Sequence, residues 1–230
     1  MRSLPAVQAP AVVCSGSNPL GVAIVRSLAT AGHPVSFGGH SGDQVSFELE
    51  KELADAGLLG SAFELDISDA SSLSRFGDLC TARFGPPLCV VVNPPITISA
   101  AHCFVEQFLA DMRSREYGRV VLVGSAAGIV GLPGRSDLCA DSAGLEGLAR
   151  SLAVSLGTFD VLVNALAPGY VEELTDGLVP ESHSKQVKTS TALRRPAEAK
   201  EVAEAVRFLC SDDASAITGI TLRVDGGLTA

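Results

Sequence analysis

Short apolar runs alternating with amphipathic stretches constrain this chain more than any other feature. Seven runs read as strands, at 11–14, 34–38, 62–66, 88–93, 119–124, 160–165 and 221–224. Helical patterns fall between them, near 20–31, 45–57, 70–83, 101–115, 141–156 and 198–210. A 3.6-residue period cannot sit still as a strand, and a continuous run such as Leu88-Cys89-Val90-Val91-Val92 suits a strand buried on both faces. In the fourth helical pattern Phe104, Val105, Phe108, Leu109 and Met112 form one apolar face. Strand and helix in regular alternation predict an α/β fold with a doubly wound parallel sheet.

The chain has 230 residues, 47% of them hydrophobic, enough for one α/β domain with a sizeable core. No internal repeat or linker-like stretch divides it. Residues 1–9 read as a flexible N-terminus and 10–230 as the domain. A net charge of −9 argues against nucleic acid and anionic membranes as partners. No apolar run is long enough to span a bilayer. The N-terminal MRSLPAVQAPAVVCSGS has one basic residue and two prolines, which does not make a secretion signal. The six cysteines lack CxxC spacing or a nearby His pair, so neither a metal site nor a disulfide framework is expected. A reducing cytoplasm fits that usage.

Right-handed crossovers gather the turns after strands one, four, five and six around one crevice. The first turn is Ser15-Gly16-Ser17-Asn18-Pro19-Leu20-Gly21. Its Gly16 and Gly21 suit a backbone approached by a pyrophosphate at a helix N-terminus. Asn18 as N-cap with Pro19 at N1 equally makes a helix start that needs no ligand. After the second strand stands His40, with no Asp or Glu beside it to accept from a ribose hydroxyl. Asp66 ends the third strand, and the fourth runs into Asn93-Pro94-Pro95. The fifth leads into Gly118–Leu145, GRVVLVGSAAGIVGLPGRSDLCADSAGL, and the sixth into Ala167-Pro168-Gly169-Tyr170. From Tyr170 to Arg195 the chain is polar and weakly periodic, as functional lids often are.

These turns, with the C-terminal ALRRPAEAKEVAEAVRFLCSDDASAITGITLRVDGGLTA, resemble short-chain dehydrogenase/reductases of the 3-oxoacyl-carrier-protein reductase type. The resemblance spans nearly the whole chain and implies a Rossmann-like domain. It makes Ser125 the catalytic Ser. The Tyr-x-x-x-Lys positions of the family, however, fall on Leu138 and Ser142. In the family that Tyr protonates the carbonyl oxygen during hydride transfer, and losing such an acid costs roughly 10²–10⁴ in rate.

The resemblance also implies cofactor-binding roles for Gly16, Gly21, His40, Asp66, Asn93, Pro168 and Gly169. The cofactor side departs from the family as well. Pro19 stands for a glycine, Pro94-Pro95 for Ala-Gly, and Glu173 for a Thr that contacts the cofactor. Between Asn93 and Ser125 the chain is short by roughly five helical turns, and the relay Asn of that stretch has no counterpart. Tyr170 stands as a surrogate acid or as a packing aromatic.

Three functions remain open. The first is a non-catalytic subunit in a homo- or hetero-oligomer with an active ketoreductase of the same fold, binding NADP(H) weakly or not at all. In the family the final helix and strand pack against a second subunit, and Val202, Val206, Phe208 and Leu209 suit such a buried helix. The second is an atypical NAD(P)H-dependent ketoreductase on a small-molecule, acyl or polyketide-type substrate. The third is a non-redox cyclase, isomerase or lyase using Asp137, Asp141, Glu173, His102 or His183 as acids and bases.

Overall fold

In the computed structural model, which describes residues 9–175 and 189–230, seven parallel strands form one sheet in the order β3-β2-β1-β4-β5-β6-β7. The strands are β1 Ala11–Val13, β2 Val35–Gly39, β3 Gly60–Glu64, β4 Cys89–Val92, β5 Gly118–Val123, β6 Val161–Pro168 and β7 Thr221–Val224. β1 pairs with both β2 and β4, with Val12 level with Ser36 and Val90. Strand order therefore reverses at β1 and β4, and their carboxyl ends border the crevice that such a reversal opens.

The helices are α1 Pro19–Thr30, α2 Gln44–Asp55, α3 Ala70–Phe84, α4 Ile98–Arg115, α5 Ala127–Val130, α6 Ser136–Leu156, α7 Glu172–Thr175 and α8 Ala199–Cys210. α1 packs against α2 and α8, and α4 against α3 and α6, giving three layers. Local chemistry starts most of them. Asn18 accepts from Gly21 N–H, Asp69 from Ser71 and Ser72, and Thr97 from Ala100, each holding a first-turn donor. At α8 the Glu198 and Glu201 side chains cap each other's backbone reciprocally.

The core lies on both sides of β4 and β5. Val90, Val91, Val120, Val121, Phe104, Val105 and Met112 are all fully buried. Each such aliphatic or aromatic side chain stabilises the fold by about 1.5–3 kcal/mol. The expected apolar face of α4 is thus the buried one.

Several boundaries differ from the sequence reading. β3 lies two residues earlier than expected, leaving Asp66 beyond the strand in a turn. β6 continues through Pro168 because β7 pairs with its last four residues. α6 starts at Ser136 rather than 141, directly after the Gly134 turn with φ of 76°. Ala9, expected in the flexible N-terminus, is fully buried, and its carbonyl oxygen lies 2.7 Å from His33 Nδ1. Phe208 does not join Val202, Val206 and Leu209 in the buried stripe of α8 and is 38% exposed. Among the described residues no helix is long and apolar enough to cross a membrane. Residues 1–8 of the expected N-terminal segment, and 176–188 of the stretch from Tyr170 to Arg195, His183 included, lie outside the described residues.

Candidate functional site

The loops after β1 and β4 bond to each other. Asn93, 1% exposed, accepts through Oδ1 from Ser15 N–H at 3.2 Å and donates through Nδ2 to the Ser15 carbonyl at 3.0 Å. Its own N–H donates to Cys14 Sγ at 3.2 Å. Burial pushes the Cys14 thiol up to about 12, so it stays protonated and donates back to Asn93. Asn18 completes the link. Its Oδ1 caps α1, while Nδ2 donates to the Pro94 carbonyl at 2.9 Å. The Pro94-Pro95 bond is cis.

Both glycines of the first loop are required by neighbouring protein atoms. A Cβ on Gly16 would sit 2.4 Å from the Phe37 ring, and one on Gly21 would sit 1.9 Å from the Ser15 carbonyl oxygen. Gly16 N–H is itself bonded to the Gly38 carbonyl. The close approach that glycine permits here packs the loop after β1 against β2 and α1 against that loop.

After β5, Ser125 is half-buried and its Oγ accepts from Ala127 N–H at 3.1 Å, opening the short α5. That helix presses on α6, where a Cβ on Gly128 would lie 2.7 Å from Ala143 N and 2.9 Å from Ser142 Cβ. Ser142 is 3% exposed and Leu138 half-buried. Asp141 reaches across to α4. Its Oδ1 accepts from Ile98 N–H at 3.3 Å, at the first residue of α4. Cys139 Sγ accepts from Leu132 N–H, and Asp137 faces Arg135 on the surface. His102 pairs with Glu106 along α4.

After β6, the Pro168 carbonyl accepts from Ala126 N–H at 2.7 Å, joining this loop to the Ser125 loop. Gly169 donates to the Val224 carbonyl, and a Cβ there would meet Asp225 Cα at 2.8 Å. Asp225 closes the C-terminal loop by accepting from Gly227 N–H, Thr229 N–H and the Thr229 hydroxyl. Burial of Asp225 works against its charge, but these hydrogen bonds outweigh it and hold the carboxyl below its ordinary range. Tyr170 is half-buried, and its carbonyl accepts from Ala197 N–H. Glu173 Oε2 accepts from Ala199 N–H at 2.9 Å, satisfying the first residue of α8.

On the far side of β1, His40 and Asp66 are both exposed. Asp66 Oδ1 accepts from the Ser68 hydroxyl and N–H, bonds that hold its carboxyl below the usual range. It therefore shapes its own turn.

The chain is similar to known proteins in sequence and fold. A family model described as enoyl-(acyl carrier protein) reductase matches residues 95–229. The chain belongs to the short-chain dehydrogenase/reductase family. The 3-oxoacyl-[acyl-carrier-protein] reductase FabG of Pseudomonas aeruginosa is 29% identical, over 95% of this chain and 96% of the relative. Nodulation protein G of Rhizobium sp. is 28% identical over 95% and 96%. Among solved structures, a short-chain dehydrogenase/reductase from Serratia marcescens aligns with a TM-score of 0.88. It is 25% identical, over 97% of this chain and 99% of its own. A blue fluorescent protein from a metagenomic library, in complex with NADPH, aligns equally well at the same identity and coverage.

In this short-chain dehydrogenase/reductase the fold joins Gly16, Gly21 and Asn93 in one bonded loop pair, and Ser125 with Pro168 and Gly169 in another. His40 and Asp66 stand apart from both. Two cavities are found among the described residues, the larger bordered by Ser17 and Pro19 of the first loop. One of about 1030 Å³ lies between α1 and α8, lined by Pro19, Val22, Arg26, Glu173, Lys200 and Arg207 among others. The other, about 400 Å³, lies between 192–197 and 223–227. Neither is lined by Asn93, Ser125 or Leu138. Sequence reading missed that Asn18 bridges to Pro94 and that Glu173 caps α8. Asn18 was visible as a cap, but its second bond depends on how β4 is placed beside β1. Among the described residues no group of three or more His, Cys, Asp or Glu is arranged to hold a metal ion.

Proposed function

We propose that this chain is a non-catalytic short-chain dehydrogenase/reductase that assembles with an active ketoreductase of the same fold and supports it structurally. The observation that carries this reading is the loop pair at β1 and β4. Gly21 N–H is taken by Asn18, Ser15 is taken on both sides by Asn93, and Pro19 has no N–H to give. A pyrophosphate needs free donors at this helix start, so NADP(H) binds weakly or not at all. Leu138 has no proton to donate, and the buried Ser142 supplies no cation. Gly16, Gly21, Asn93, Pro168 and Gly169 then serve as packing residues of the scaffold, and Ser125 as a remnant that opens α5. Residues 10–230 act as one unit.

Assembly is supported by apolar side chains left on the surface. Val154 on α6 is 86% exposed, Ile220 beside the edge strand β7 is 41% exposed, and Phe208 on α8 joins them. The partner is a second copy or a related subunit in the cytoplasm, with which the net charge of −9 is compatible and nucleic acid is not.

A second reading has its own support, because a structural neighbour with a TM-score of 0.88 is described in complex with NADPH. In it the chain is an atypical ketoreductase on acyl or polyketide-type substrates, with Tyr170 or the substrate supplying the proton. The deciding experiment assays NADPH-dependent reduction of an acetoacetyl thioester by the purified chain, a partner ketoreductase, and their mixture. The first reading expects no turnover by the chain alone and altered stability or activity of the partner in the mixture. Turnover by the chain alone selects the second.

A further inference from the structure

We draw no further inference here: the strongest candidate, the cavity of about 1030 Å³ between α1 and α8, keeps Arg26 and Arg207 paired with Glu52 and Glu204, and nothing in the structure shows what covers it.

Discussion

Asn18 Nδ2 donates to the carbonyl oxygen of Pro94 at 2.9 Å, fastening the loop after β1 to the loop after β4. With Asn93 holding Ser15 on both sides, the two loops satisfy each other. At this turn the Ser15, Gly16 and Gly21 N–H groups are donated to atoms of the protein itself.

That link has a measurable stability. Asn93→Ala leaves the half-buried Ser15 N–H and carbonyl without their partner, at up to about 1–3 kcal/mol for each group left unmade. Asn18→Ala removes a helix cap, at about 0.5–2 kcal/mol. Urea unfolding of both single variants and the double variant should show coupling between them. Additive effects would mean that the loops are independent.

Gly21 tests whether glycine is kept for packing or for a cofactor. A Cβ there meets the Ser15 carbonyl oxygen, which is backbone and cannot rotate away. Gly21→Ala should cost about 1–3 kcal/mol of stability with no nucleotide present. A variant as stable as the parent would return Gly21 to a ligand-binding role.

Restoring the missing acid should not restore catalysis. Ser142 is 3% exposed and lies against the Gly124 and Gly128 backbones, so Ser142→Lys forces repacking of about 1–3 kcal/mol. Leu138→Tyr combined with Ser142→Lys is expected to lower the melting temperature and give no NADPH oxidation with a ketone. Turnover by this double variant would show that the cleft still holds cofactor.

Acid should weaken the C-terminal region first. Glu201 is held down to about 2, foremost by Arg195 and then by the Glu198 N–H, and Asp225 is also held below its ordinary range. A depressed carboxylate contributes stability above its unfolded value, near 4, and loses it as pH falls through the folded value. Unfolding free energy should therefore fall between about pH 4 and pH 2. Asp225→Asn should flatten that fall more than Glu201→Gln, because the Glu201 pair is solvent-exposed and screened. Equal slopes in all three proteins would remove these carboxylates as the cause.

Local chemistry made much of the fold legible in the sequence. The valines of β4 and β5, the α4 stripe from Phe104 to Met112 and the Asn18-Pro19 helix start all follow from neighbours in the chain. Long-range contacts set what was misread. Asp141 stood in the sequence as a candidate acid or base, and its carboxylate accepts from Ile98 N–H at the start of α4, 43 residues away in sequence. Glu173 looked like a poor replacement in a cofactor loop, and its partner is α8. Phe208 continues an apolar pattern, but its position on α8 turns it outward. Such roles depend on which elements the sheet brings side by side.

Nucleotide binding most directly tests the proposal that the loops after β1 and β4 bond to each other in place of a nucleotide. NADPH is titrated into the full chain, with intrinsic NADPH fluorescence and melting temperature read together. No saturable change in either is expected below millimolar nucleotide. Saturable binding with a rise in melting temperature would contradict it.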